Sequence, residues 1–296
     1  MSQRVIVITG ASSGIGRETA REVAARGDHA VVVGRNPERT RASAAAAGGE
    51  AYVCDFDRFD DVRMLAAQLL DRYDRIDVLI NNAGGLISEW QLTPDGHERT
   101  LQSNVLSPFL LTQLLAPRMA ETAARDDVAP GTVRIIATSS MANQWGRVRL
   151  DDLEWAERPY LRGWPVYGSA KLAVIMWIRE LADRLRDLGV TAYSVHPGMV
   201  ATSFGSTSRL VHLGNTLLRG HWGRGPLSGA EPLIAFSSTL PMNGPTGTYF
   251  SRFSAFGGTA AQANDLGLRR ELFQLLGDIT GADVTGAGLP GADLTS

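Results

Sequence analysis

Short β-branched hydrophobic runs alternate with longer, helix-like stretches over the first two thirds of the chain. The predicted strands are Val5 to Ile8, Ala30 to Val33, Ala51 to Cys54, Val78 to Ile80, Val133 to Ala137 and Thr191 to Val195. Strands that are separated by helices form a parallel sheet with helices on both faces. The pattern therefore predicts an α/β fold with a doubly wound parallel sheet of about seven strands.

Two long segments, 141–165 and 202–228, interrupt this alternation. Loops of this length inside a compact domain are usually functional or disordered, and we expect both to border a substrate site. Residues 277–296 are rich in Gly, Ala and Asp, which predicts a flexible tail. No linker divides the remainder, so residues 1–276 are predicted to form one domain.

Composition narrows the choice of partners. The 296 residues carry a net charge of -2 without a Lys/Arg block, which argues against nucleic acid and anionic membranes. Cys54 is the single cysteine and cannot form an internal disulfide. No apolar run reaches the roughly 18 residues of a membrane span. We therefore expect a cytoplasmic protein that has no membrane anchor and binds a small molecule.

A glycine-rich segment, Thr9 to Gly16, follows the first strand and opens a helix. Glycines there let the backbone approach a pyrophosphate at the positive helix N-terminus. An ordinary strand-to-helix turn is the alternative, because a lone glycine loop is a weak signal. The spacing Gly-x-x-x-Gly-x-Gly also differs from the usual Gly-x-Gly-x-x-Gly of dinucleotide-binding loops.

Further motifs follow in a fixed order along the chain. They are Asn81-Asn82-Ala83-Gly84, Asn104, Ser139-Ser140, Tyr167-Gly168-Ser169-Ala170-Lys171 and Pro197-Gly198. With the glycine loop, they resemble the short-chain dehydrogenase/reductase family from about Val5 to Phe250. The segments Tyr193 to Gly198 and Gly247 to Phe250 resemble its retinol-dehydrogenase-like branch. The resemblance implies a single-domain Rossmann fold and an oxidoreductase.

Tyr167 and Lys171 carry chemistry that their residue types and spacing predict. Four residues apart on a helix, they project from one face, one turn apart. A free tyrosine has a pKa of about 10, and a nearby ammonium group favours the phenolate. Tyr167 is therefore predicted to move a proton at physiological pH: to a carbonyl oxygen in reduction, and from an alcohol in oxidation.

Two more polar residues complete the predicted catalytic set. Ser140 ends a predicted strand, where open α/β sheets bind ligands, and is expected to hydrogen-bond the reacting oxygen. Asn104 enters through the resemblance, which implies that it positions a water relaying protons to Lys171.

The resemblance also implies a cofactor site. Its predicted residues are Gly10, Ser12, Ser13, Gly14, Ile15, Gly16, Arg35, Asp55, Asn82, Ala83, Gly84, Tyr167, Lys171, Pro197, Gly198, Val200 and Thr202. Asp55 is expected to bond the adenine amino group, and Thr202 the nicotinamide carboxamide. At the end of the second strand, Gly34 stands where NAD-selective enzymes usually place an acid, and Arg35 follows. An arginine there accommodates a 2′-phosphate, so NADP(H) is predicted.

Other functions remain open at this point. A non-catalytic NADP-binding regulatory protein is one alternative, although it would not need Ser140, Tyr167 and Lys171 together. Epimerisation or dehydration of a nucleotide sugar is another, but it usually needs a larger carboxyl-terminal domain than remains after Gly198. No metal site is predicted, because the five histidines show no metal-ligand spacing.

Apolar segments predict two further properties. The helices at Val105 to Leu115 and Leu172 to Ile178 are apolar on more than one face, which predicts a homo-oligomer unless the chain's own loops cover them. The two long segments bring tryptophans and leucines near the predicted chemistry, so a bulky apolar or aromatic carbonyl or alcohol is expected. For Trp155 and Trp164, anchoring of the loop is an equal alternative.

Overall fold

The computed structural model describes residues 3–198 and 225–284 and contains a seven-stranded parallel sheet. Its strands are β1 (Val5–Ile8), β2 (His29–Gly34), β3 (Glu50–Val53), β4 (Val78–Asn81), β5 (Val133–Thr138), β6 (Val190–His196) and β7 (Tyr249–Ser251). The strand order is β3-β2-β1-β4-β5-β6-β7. The predicted doubly wound fold is confirmed, and the six predicted strands agree with the observed bounds to within one residue.

Seven helices flank the sheet within the described residues. They are α1 (Gly14–Ala25), α2 (Pro37–Ala47), α3 (Phe59–Arg72), α4 (Ser107–Ala123), α5 (Trp164–Arg184), α6 (Pro226–Phe236) and α7 (Leu266–Thr280). Side chains alternate across each strand, so the sheet feeds two cores. Val5 and Val7 of β1 pack in one core, while Ile6 and Ile8 pack in the other. No helix of residues 3–198 or 225–284 could cross a membrane.

The segment 141–165 has local structure of its own. It contains the 3-10 turns Met141–Trp145, Leu150–Asp152 and Leu161–Gly163, and α5 begins at Trp164. Most of the other long segment lies outside the described residues, although α6 already begins at Pro226.

The composition predicted that a flexible tail begins at residue 277, but helical structure continues beyond that residue. Helix α7 continues to Thr280 and ends at Gly281 in the left-handed conformation, with φ of 62°. Val284 is buried and packs so closely on Gly277 that a Cβ there would lie 2.6 Å from Val284 Cγ1. Glycine at 277 therefore serves close packing.

Helix α7 covers the apolar faces on which self-association was predicted. Phe273 of α7 packs edge-on against Phe109 of α4, with ring centroids 5.0 Å apart. Phe109 packs in turn against Trp177 of α5 at 5.8 Å. The premise that these faces are free is therefore wrong, because α7 buries them within one chain. The cytoplasmic location and the oligomeric state stay predictions.

Leu272→Ala should destabilise the protein by about 2–5 kcal/mol, because Leu272 on the inner face of α7 is fully buried and the substitution leaves a cavity. Leu266→Ala, the same change at an exposed position of the same helix, should alter the free energy of unfolding by about 0.5 kcal/mol or less. Urea denaturation measures both. Equal losses would show that α7 does not form this part of the core.

Candidate active site

Most of the predicted site residues that the structure describes lie just after the carboxyl ends of strands β1 to β6 or near the start of α5. The strand order reverses between β1 and β4, and open α/β sheets bind ligands outside such a reversal.

The glycine loop forms a close backbone cradle at this edge. Gly10 and Gly14 have φ of 64° and 58°, values that side chains other than glycine's rarely adopt. A Cβ on Gly16 would lie 2.6 Å from the Gly10 carbonyl oxygen. Ser13 precedes α1 in an extended conformation without a side-chain cap, so the first N–H groups of α1 are available to an anion. The cradle fits a pyrophosphate.

Thr9, which was not predicted as a site residue, connects the glycine loop to the loop that contains Asn82. Its hydroxyl accepts hydrogen bonds from the N–H groups of Asn82 and Ala83, both at 3.0 Å. The Asn82 side-chain amide donates to the Thr9 carbonyl at 3.0 Å. The sequence feature that could have indicated this role is the hydroxyl residue directly before Gly10.

The charged side chain of Arg35 follows the end of β2, and neighbouring side chains leave little room around Gly34. Arg35 is 62% exposed at its side chain and lies 3.5 Å from a carboxylate oxygen of Asp57 and 3.9 Å from one of Asp55. A Cβ on Gly34 would lie 2.6 Å from Thr40 Oγ1 and 2.8 Å from Ser12 Cβ. Packing therefore fixes glycine at position 34, and an acidic side chain would not fit there without a shift.

Ser140, Tyr167 and Lys171 meet between β5 and α5. Ser140 lies beside the Tyr167 phenol, and its side chain favours the phenolate form. Lys171 Nζ lies 5.5 Å from the centroid of the Tyr167 ring and donates to the Thr138 carbonyl at 3.0 Å. The Ser140 hydroxyl oxygen accepts a hydrogen bond from the Ala142 N–H at 3.2 Å, which leaves its own proton for another acceptor.

Burial dominates the electrostatics of this pair. It raises the pKa of Tyr167 above its ordinary value, although the Ser140 side chain acts in the opposite direction. Burial also lowers the pKa of Lys171 to about 8. The prediction of a net lowering of the Tyr167 pKa is therefore wrong for this structure, because burial outweighs the effects that favour the phenolate.

Asn104 lies in a π-helical turn, Gln102–Leu106, that leads into α4. Its side-chain amide donates to the carbonyls of Gly85 at 3.0 Å and Thr100 at 2.9 Å, and its oxygen accepts the Gly85 N–H at 3.1 Å. These bonds hold the loop after β4. The water relay stays a prediction.

Asn143 contacts Ser140 directly, and Tyr249 lies next to Asn143. Neither was predicted as a site residue. The side-chain amide of Asn143 donates to the Ser140 carbonyl at 2.8 Å, and its N–H donates to the same carbonyl at 3.0 Å. The buried Tyr249 of β7 lies beside Asn143, whose side chain acts to lower the Tyr249 pKa. Only the fold brings β7 to this turn, so no local sequence signal could show the contact.

Glu98 ties the segment 141–165 to the turn that carries Asn104. The fully buried carboxylate accepts the N–H groups of Thr100 at 2.8 Å and Leu101 at 2.7 Å. It also accepts the Tyr160 hydroxyl at 2.9 Å. Side-chain hydrogen bonds therefore connect the segment 141–165 to the turn that contains Asn104.

The predicted residues after β6 are only partly described. Gly198 has φ of 94°, and the Arg252 guanidinium donates to the Pro197 carbonyl at 3.3 Å. Val200 and Thr202 lie outside the described residues.

Comparison with known proteins agrees with this arrangement. The family model described as short chain dehydrogenase matches residues 4–151 and 155–210. A protein of Streptomyces sp. (strain C5) named "Putative daunorubicin C-13 ketoreductase" is 38% identical over 280 residues, covering 92% of this chain and 90% of that protein. Human retinol dehydrogenase 13 is 35% identical over 209 residues, covering 68% of this chain and 60% of its own length.

A solved structure is also similar. The crystal structure of an uncharacterized protein from Mycobacterium Paratuberculosis is 32% identical, with a TM-score of 0.72 and coverage of 95% of both chains. Fold and site thus define a nicotinamide-dependent oxidoreductase of the α/β class. The chain belongs to the short-chain dehydrogenase/reductase family, in its retinol-dehydrogenase-like branch.

Asn143→Ala should lower kcat roughly 10- to 100-fold, because it removes the hydrogen bond that the fully buried Asn143 side chain donates to the Ser140 carbonyl. The dissociation constant of the nicotinamide cofactor should stay within about 2-fold, since the cofactor cradle is unchanged. Asn264→Ala, the same change at a position that bonds Arg179, is the control. A kcat within 2-fold of the wild type would contradict the supporting role.

Proposed function

We propose that this protein is an NADP(H)-dependent oxidoreductase that transfers hydride between the cofactor and a ketone or aldehyde or the corresponding alcohol. One observation carries the proposal: Ser140, at the carboxyl end of β5, lies beside the buried phenol of Tyr167, and Lys171 lies one helical turn away. A carbonyl oxygen placed between the Ser140 and Tyr167 hydroxyls would receive two hydrogen bonds.

The proton transfer follows from the state of Tyr167. Its raised pKa keeps the phenol protonated near neutrality, so it can donate to the oxygen of a carbonyl as that oxygen gains negative charge. Ser140 can donate to the same oxygen. The Ala142 N–H occupies one acceptor position of the Ser140 hydroxyl and leaves the hydroxyl proton available. Oxidation needs the phenolate instead. The rate of alcohol oxidation should therefore rise with pH, whereas reduction should fall at alkaline pH.

The cofactor would lie along the edge from Gly10 to Lys171, where it would supply or accept the hydride. The cradle of Gly10, Gly14 and Gly16 and the open N-terminus of α1 would hold its pyrophosphate. Lys171 would hold the nicotinamide ribose. Arg35 would pair with the 2′-phosphate, and its exposed guanidinium supports that role.

The substrate is proposed to be bulky and apolar or aromatic. Met141, Trp145 and Trp164 are all more than 40% exposed close to Ser140 and Tyr167, and apolar walls around a few polar groups are typical of small-molecule sites. The names of the relatives refer to a ketone position and to retinol, which supports a carbonyl or alcohol of this kind.

Tyr167→Phe should lower kcat for NADPH-dependent ketone reduction by at least about 100-fold, because it removes the proton donor and little else. Affinity for NADPH, measured by its fluorescence, should be nearly unchanged. Tyr52→Phe, on the distant strand β3, is the matched control and should retain activity. Retention of most of the wild-type kcat by Tyr167→Phe would refute the proton-transfer role.

Arg35→Ala should lower kcat/KM for NADPH by roughly 10- to 100-fold, the size of one lost charge-assisted contact. The value for NADH should change by less than about 3-fold, because NADH lacks the phosphate. Arg41→Ala, an exposed arginine further along α2, controls for the loss of one surface charge. The cofactor assignment fails if the wild type uses both cofactors with equal kcat/KM.

A further inference from the structure

We infer that the substrate carries a planar aromatic ring system, and that this ring stacks on Trp145 and Trp164 while its carbonyl group meets Tyr167. The inference rests on the proposed function and narrows its substrate class. It is carried by two half-exposed indoles, of which Trp164 contacts the buried phenol of Tyr167 and Trp145 packs on the adjacent Gly168.

Trp145 lies over the start of α5. A Cβ on Gly168, the residue after Tyr167, would lie 3.1 Å from both Cδ1 and Nε1 of the Trp145 indole. The absence of a side chain at Gly168 therefore lets the indole approach the helix next to the catalytic residue. Trp145 remains 58% exposed, so this position does not bury it.

Trp164 flanks Tyr167 from the beginning of the same helix. The two rings meet edge to face, with centroids 6.5 Å apart and an interplanar angle of 89°. Trp164 is 44% exposed while Tyr167 is 5% exposed. The buried phenol thus contacts one indole that keeps much of its surface in contact with solvent, and the second indole packs on the residue next to it in the chain.

Trp155 shows what a loop anchor looks like in the same segment. It is 6% exposed, its indole N–H donates to the Pro159 carbonyl at 3.1 Å, and the Arg158 guanidinium lies 3.4 Å from its ring centroid. Trp155 therefore takes the anchoring alternative. Trp164 and Trp145 are far more exposed, and each lies within the immediate surroundings of Tyr167.

Exposed indoles at a reactive group favour a flat aromatic partner over a saturated one. Aromatic rings gain stacking or edge-to-face contacts beyond the burial of apolar area, whereas a puckered ring of the same carbon count gains only the burial. The ring preference should be roughly 3- to 10-fold for each indole engaged.

Two matched pairs of ketones test the inference with NADPH as the reductant. They are 4-phenyl-2-butanone against 4-cyclohexyl-2-butanone, and 4-(2-naphthyl)-2-butanone against its decalin counterpart. In all four the carbonyl is insulated from the ring, so its intrinsic reactivity stays the same. The aromatic member should have the higher kcat/KM, and the difference should be larger for the fused ring.

Trp145→Leu and Trp164→Leu keep an apolar side chain and remove the ring. Each should lower the aromatic-to-saturated ratio of kcat/KM by roughly 3- to 10-fold, with a smaller effect on the saturated ketone. Trp90→Leu is the control, because Trp90 is equally exposed at 45% but donates to the Glu154 carbonyl instead of flanking Tyr167. A ratio near one in the wild type, or an unchanged ratio in both variants, would overturn the inference.

Binding without turnover separates this inference from the proposed function. The dissociation constants of the naphthyl and decalin ketones can be measured by calorimetry with Tyr167→Phe and NADPH present. Tighter binding of the naphthyl ketone that is lost in the tryptophan variants supports the inference even if no ketone is reduced. Equal affinities would overturn it, whereas failure to reduce any ketone would count against the proposed function alone.

Discussion

Direct backbone contact between the turn after β5 and the start of α5 is the constraint on which the site depends. A Cβ on Gly168 would lie 2.8 Å from the Ala142 carbonyl oxygen, and a Cβ on Gly146 would collide with the Gly168 carbonyl. Glycine on both sides therefore lets the two backbones touch. Ser140 and Tyr167 flank this contact, so the spacing of their side chains depends on both glycines.

Supports from elsewhere in the chain then keep this contact in register. Asn143 holds the Ser140 carbonyl, and Tyr249 of β7 lies beside Asn143. Glu98 and Tyr160 connect the segment 141–165 to the turn that contains Asn104. Each support comes from a different part of the sequence, so the geometry of the reacting hydroxyls depends on the whole sheet being assembled. Such shells of hydrogen bonds keep catalytic groups in place without reorganisation during the reaction.

The sequence predicted what depends on local pattern and missed what depends on distant packing. Strands, the glycine loop and the Tyr167–Lys171 pair follow from spacing over a few residues. The cover that α7 provides for α4 and α5 does not, because an apolar helix face looks the same whether its own chain or a second copy buries it. The direction of the Tyr167 pKa was missed for a similar reason: the ammonium of Lys171 was visible in the sequence, but the burial that outweighs it was not.

The buried ammonium of Lys171 links the electrostatics of the site to its affinity for ligands. Its folded-state pKa of about 8 lies below the ordinary value of 10.5, so the unfolded chain binds the proton more tightly. For this group, stability increases as the pH rises from about 8 to about 10.5, and the full penalty applies below pH 8. Lys171 donates to one backbone carbonyl but has three N–H donors. A ligand with hydroxyl oxygens beside Nζ would satisfy the others, favour the charged form and stabilise the folded state by binding it selectively. An ammonium that costs stability in the free protein would in this way contribute to ligand binding, which is the expected trade where a charged group is held in advance for a ligand.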